Sequence, residues 1–194
     1  MMFPKPIRHK KFMEKTPKKR RDPGKKPTYP QAMKTADEMF SRLVRTKWAI
    51  ATGSLGECEI DRAGWFRCVT CGKITGLLTN GAGQCGHFIP RGNMKLRYDE
   101  RNTGAQCGKC NATDGGHWPQ FQVSIRERLG GRVLAELIQI GETNPPAGYT
   151  ARTLIEMAID FQDRAMRLWA NEELPYPWPK VNLRKQLELF GRGI

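Results

Sequence analysis

Two Cys-x-x-Cys pairs, Cys68/Cys71 and Cys107/Cys110, bracket the middle of this 194-residue chain. Four thiolates in two close pairs make a tetrahedral Zn²⁺ site, each pair approaching the ion from one side. With four protein ligands such a site is closed to water and serves structure. It constrains the fold more than any other feature, because it pins two distant turns to one point. The chain between the pairs presents one imidazole, in Gly86-His87, and among its amides Asn102, fifteen residues past the His. Cys58 and Cys85 are left over. Cys58 reads as a small buried hydrophobe. Cys85 stands two residues before His87 and can line the same site, with no catalytic role assigned.

The formal charge of +14, with a pI near 9.8, asks for a polyanionic partner, nucleic acid before an anionic membrane surface. No apolar run approaches the roughly 20 residues that span a bilayer. The first residues, MMFPKPIRHKKF, carry charge without an apolar stretch, so no secretory signal is expected. A cytoplasmic location is therefore the expectation. Paired cysteines there hold metal more often than they form disulfides.

Residues 1–30 hold eleven Lys or Arg against two acidic residues, with prolines at 4, 6, 17, 23, 27 and 30. Proline forbids a long helix, so this stretch reads as a disordered basic arm that settles on phosphates, or as a solvated tail. Residues 31–50 carry Ala32, Ala36, Met39, Phe40, Leu43, Val44 and Trp48 at helical spacing, with Arg42, Arg45 and Lys47 as a basic edge for DNA. A strand is expected at Gly64–Arg67, a Gly-rich loop at 76–84, and two short strands around a polar turn within 84–106. Trp118-Pro119 suits the start of a helix that runs through Phe121, Ile125 and Leu129. A further helix spans Arg132 to Ile140 and stops at Gly141. A linker occupies 144–148. Residues 151–170 form the best amphipathic stripe, and a short helix is expected near 181–190. These segments divide the chain into an arm (1–30), a zinc-bearing domain (31–141) and a C-terminal helical region (149–194).

His87 near neutral pH can take a proton from water, and that water can attack a DNA phosphorus. The transition state then needs a cation such as Mg²⁺ or Mn²⁺. Asn102 can brace the loop that carries His87. Asn111, directly after the second cysteine pair, offers an oxygen to a hard cation, and His117 is a second candidate ligand. Asp114 reads either as a helix cap or as part of this group. Arg91, Lys95, Arg97 and Arg101 lie between His87 and the second pair as candidate phosphate contacts. Arg126, Arg128 and Arg132 come after that pair. Tyr98, Trp65 and Trp118 read as packing residues.

The order Cys-x-x-Cys, Gly-His, Asn, Cys-x-x-Cys-Asn resembles the zinc-bearing branch of the HNH (ββα-metal, or His-Me finger) nucleases. More narrowly, CVTCGK and QCGHFIPRGNMKLRYDERNTGAQCGKCN resemble the phage Rap/NinG recombination-protein family, as does the preceding TADEMFSRLVRTKWA. The resemblance covers about residues 34–130. It implies an α+β fold: a zinc-stapled ββα-metal (HNH-like) core with flanking helices and the disordered arm. It also implies a structure-selective endonuclease acting on branched DNA such as Holliday junctions and D-loops. His87 would be the general base and Asn102 the residue fixing its loop. Cys68, Cys71, Cys107 and Cys110 would hold Zn²⁺, and Asn111 and His117 the Mg²⁺ or Mn²⁺. Gly86 stands where many HNH enzymes carry aspartate, a glycine shared by the Rap-like pattern. Paired cuts on a four-way junction suggest a homodimer, formed through the helix at 151–170. The alternatives are a zinc-stabilised DNA-binding accessory protein without catalysis, and a sequence-specific nicking enzyme.

Overall fold

The computed structural model describes residues 25–51, 65–77, 83–112, 114–173 and 178–191, without the side chains of residues 51 and 114–117. The basic arm up to residue 24 and Cys58 lie outside the described residues. Among these residues the chain is mixed α+β, with six α-helices and two small antiparallel sheets. None of the helices is long and apolar enough to cross a membrane.

Helix α1 (Tyr29–Ala51) starts two residues earlier than the sequence suggests, with Pro30 in the first turn where no N–H is needed. Its apolar stripe of Ala32, Ala36, Met39, Phe40, Leu43 and Val44 is fully buried. The matching stripe belongs to α5 (Ala151–Asn171), through Leu154, Ile155, Ala158, Phe161 and Ala165. Trp169 on α5 donates its indole N–H to Thr46 Oγ1 on α1 at 3.0 Å, which locks the pair in register. The stripe expected to mate two copies packs against the chain's own α1.

Strands β1 (Trp65–Arg67) and β2 (Ile74–Gly76) form a hairpin around the first cysteine pair. Strands β3 (Gly83–His87) and β4 (Thr103–Cys107) form the second, pairing Gly83 with Cys107 and His87 with Thr103. A backbone bond from Val69 N to Ala105 O (2.9 Å) joins the two hairpins. Phe66, Leu77, Ala105, Ala49 and Trp169 fill the space between them and the helices.

A short helix α2 (Gly108–Ala112) grows out of the second cysteine pair and leads into α3 (Asp114–Leu129). Helix α3 starts four residues before the expected Trp118-Pro119, and Pro119 lies inside it. Helix α2 runs almost directly into α3, so the chain is already turning helically when it reaches the proline. Helix α4 (Gly131–Thr143) likewise runs through Gly141. A Cβ at 141 would stand 3.0 Å from Ile89 Cδ1, so this glycine allows close approach to the loop after β3 and does not stop the helix. The stop is Asn144, in the left-handed region at φ 41°. Phe88, Leu96, Phe121, Ile125, Leu134 and Leu137 form the core between α3, α4 and that loop. Helix α6 (Leu183–Gly191) packs Leu183 into the α1–α5 core.

Candidate metal centre and histidine cavity

Cys68 follows β1 directly and starts a tight turn. Gly72 adopts φ +69° and donates its N–H to Cys68 O at 2.9 Å, while Cys68 N donates to Lys73 O at 2.9 Å. This turn lifts the Cys68 and Cys71 thiols to one side. Cys107 ends β4, and Cys110 sits one helical turn later on α2. The four sulfurs lie within 4.8 Å of one another, and Cys71 Sγ to Cys107 Sγ is 3.9 Å. Four sulfurs each about 2.3 Å from a tetrahedral zinc ion stand about 3.8 Å apart. The thiols therefore fit a structural metal such as Zn²⁺. Cys107 N donates to Cys68 Sγ at 3.3 Å. Burial alone would raise the Cys68 thiol, but the amide N–H groups of Cys71, Cys107 and Thr70 hold it below its usual value. Burial drives Cys71 and Cys110 upward, so a divalent cation is what would keep all four as thiolates.

The cysteine corner orients the segments on either side of it. Cys110 fixes α2, and the next residue is Asn111. Cys107 fixes the end of β4, and β4 fixes β3. His87 sits at the far end of β3, four residues from Gly83, or about 13 Å along the strand. Cys85 and His87 share the strand face turned toward α1, two residues apart. Phe40 of α1 packs near the imidazole, ring centroids 6.4 Å apart.

A cavity of about 190 Å³ opens here, lined by Asp37, Ser41, Arg45, Gln84, His87 and Asn111, among others that include Arg91 and Cys85. His87 Nε2 lies 2.9 Å from Arg97 O. A carbonyl only accepts, so Nε2 carries the proton and Nδ1 keeps the lone pair. Burial lowers the His87 pKa to about 4, with the nearby Arg91 charge adding to the effect and the Arg97 carbonyl opposing it. The imidazole is neutral across the whole neutral range, with its affinity for a proton reduced by burial. Burial pushes the Cys85 thiol up to about 12, against the pull of Arg45 and Arg91, so it stays protonated.

Asn102 is fully buried and holds the loop after His87 by three side-chain bonds. Its Oδ1 accepts from Ile89 N at 2.8 Å, and its Nδ2 donates to Ile89 O at 3.0 Å and Leu96 O at 3.1 Å. Its backbone carbonyl also accepts from Phe88 N at 2.9 Å. Asn111 Nδ2 donates to Gln84 Oε1, which leaves Asn111 Oδ1 as its ligand atom. His117 lies on α3, but its side chain, like that of Asp114, is outside the described residues.

The basic candidates divide. Arg91 and Lys95 are exposed, and Arg91 lines the His87 cavity. Arg97 is bound by both oxygens of Asp37, and Arg101 by Asp99 and Glu136. Their charges are matched inside the chain. Of the expected basic edge of α1, Arg42 and Arg45 are turned inward, and Lys47 is exposed but ion-paired. Arg42 is buried and bonds Pro179 O and Glu38, Arg45 donates to Leu77 O and Gly83 O, and Lys47 pairs with Glu100. Arg128 lies over the Trp48 ring, 4.7 Å from its centroid. Tyr98 is core, whereas Trp118 is 42% exposed and stacks on Phe88 at 5.1 Å. Asp37 and Ser41 escaped the sequence reading, and Arg45 was read as part of a basic edge and not of this cavity, although their four-residue spacing puts all three on one stripe of α1.

The model of one protein family, described as Bacteriophage Lambda NinG protein, matches residues 57–169, more than half of the chain. The chain belongs to the NinG family. The matched NinG stretch contains all four converging cysteines, His87, Asn102 and Asn111. No curated protein and no solved structure matches the chain.

Proposed function

We propose that this NinG-family protein acts in phage recombination as a metal-dependent endonuclease on branched DNA, with an HNH-like site around His87. The observation that carries this reading is the neutral His87, tied through Nε2 to Arg97 O, in a cavity it shares with Asn111 and Arg91. In the proposed reaction Nδ1 takes a proton from water. The oxygen of that water bonds to phosphorus as the bond to the leaving sugar oxygen breaks. Asn102 keeps the His87 loop in place. Arg91, with Lys95 nearby, meets the phosphate oxygens. Asn111 Oδ1 and His117 are the proposed holders of a Mg²⁺ or Mn²⁺ ion. When bound, such an ion stabilises charge on the reacting phosphate. The net charge of +14 supports a nucleic-acid substrate.

The test is cleavage of fixed Holliday, D-loop, flap and linear substrates with and without Mg²⁺. His87→Ala is expected to abolish cleavage and keep DNA binding. A wild-type protein that binds junctions but cuts nothing in Mg²⁺ or Mn²⁺ would replace this reading with the non-catalytic one.

A further inference from the structure

The carbonyl that holds His87 belongs to a residue whose own side chain is anchored far away in sequence. Arg97 Nε donates to Asp37 Oδ1 at 2.8 Å and Nη2 to Oδ2 at 2.5 Å, sixty residues away on α1. Its Nη1 donates to Arg91 O at 2.9 Å, closing the turn on itself. The two side chains are only 14% and 23% exposed, so water screens the pair weakly. A two-pronged guanidinium–carboxylate contact fixes orientation as well as distance. On the other side of the turn, Asn102 grips Leu96 O. The residue that presents its carbonyl to His87 is thus clamped from both flanks.

We propose that Asp37 is a positioning residue for His87: by fixing Arg97 it fixes the carbonyl that keeps the imidazole proton on Nε2 and the lone pair on Nδ1. The opposite tautomer would set an unprotonated Nε2 against a carbonyl oxygen, two acceptors facing each other. How strongly that tautomer is excluded depends on where the carbonyl sits, and Asp37 governs this from α1. Asp37 also lines the His87 cavity, where Arg97 neutralises a carboxylate that would otherwise favour a charged imidazole. Arg97, read from sequence as a phosphate contact, becomes the link between a helix and the base. The catalytic meaning of this arrangement rests on the nuclease reading, but the tautomer does not.

The experiment uses the full chain, zinc-loaded and ¹⁵N-labelled. Long-range ¹H–¹⁵N correlation at pH 7 reports the His87 tautomer, beside steady-state cleavage of a branched substrate. Wild type is expected to show Nε2–H alone. Asp37→Ala and Arg97→Gln are expected to show a mixture of tautomers, with kcat lower by about 10–100-fold and KM within about twofold. Asp37→Glu, which keeps the carboxylate, restores the wild-type tautomer. Should Asp37→Ala fail to fold, Asp37→Asn keeps the shape and carries the test. An unmixed Nε2–H signal in folded Asp37→Asn and Arg97→Gln overturns the proposal, as does a loss confined to KM. A wild type that never cuts removes the nuclease reading alone, because the spectrum still decides what Asp37 does.

Discussion

Gly86→Ala should be among the most damaging single-methyl additions in this chain. Gly86 precedes His87 on β3 and pairs with Gly104 on β4. A Cβ at 86 would lie 1.9 Å from Gln106 Oε1, 2.5 Å from its Cδ and 2.9 Å from its Cγ. Gln106 cannot swing aside freely. It is fully buried, and its amide donates to Thr70 Oγ1 at 2.6 Å, inside the first cysteine turn. The methyl must displace that amide or spread the hairpin. Overpacking costs about 1–3 kcal/mol, and a broken buried hydrogen bond adds about 1 kcal/mol. Together they come to roughly 2–4 kcal/mol, or a fall in Tm of about 5–15 °C for a chain of this size. Thermal and urea unfolding of the zinc-saturated protein measure it. The double variant Gly86→Ala/Gln106→Ala makes room for the methyl, so it should be more stable than the sum of its singles by at least about 1 kcal/mol. A Gly86→Ala change within about 0.5 kcal/mol of wild type, or strict additivity in the cycle, would refute the reasoning. The same collision bars aspartate from this position, which accounts for the glycine in physical terms.

Asn102→Ala leaves the N–H and C=O of Ile89 and the C=O of Leu96 without their side-chain partner. A loss of about 3–4 kcal/mol is expected by urea titration, and a value under about 1 kcal/mol would show that the loop holds itself. Complete removal of zinc by a strong chelator should abolish the cooperative thermal transition, since binding at a structural metal site is linked to folding; a transition that survives contradicts a structural metal. The folded-state pKa of His87, about 4, lies below its usual 6.5. Above pH 6.5 the ring is neutral in both states and contributes no slope. As pH falls from 6.5 toward 4, the unfolded chain binds a proton that the folded one refuses, and stability drops by up to about 2–3 kcal/mol. Wild type minus His87→Gln isolates this from thiolate protonation, and a pH-independent difference would sink it.

What was legible in the sequence was local. The cysteine pairs announce themselves because ligand spacing is a short-range property, and the helices at 29–51 and 151–171 because burial repeats every three or four residues. The hairpin carrying His87 and Asn102 was readable for the same reason. Relations between distant segments were not. Asp37 reaches the site from a helix fifty residues before His87, and no pattern around either residue hints at the other. Arg97 and Arg101 looked available for phosphate because charge is visible in a sequence and ion pairing is not. An apolar face such as the stripe at 151–170 does not name its partner in sequence, and its packing on α1 is seen only in the structure. Pro119 and Gly141 misplaced two helix ends, since each is read as punctuation unless its neighbours are known.

Helix α1 does more than pack. It supplies Asp37, Ser41 and Arg45 to the cavity wall, yet it ends before the stretch that the family model matches, residues 57–169. The matched portion of the chain is therefore smaller than the unit that builds the cavity. A fragment trimmed to the matched portion would keep the sulfur ligands and the imidazole, but the chamber wall that α1 supplies would be missing and the apolar side of α5 left bare to water. Such a fragment should clump rather than function, and adding α1 back as a separate peptide should return it to solution.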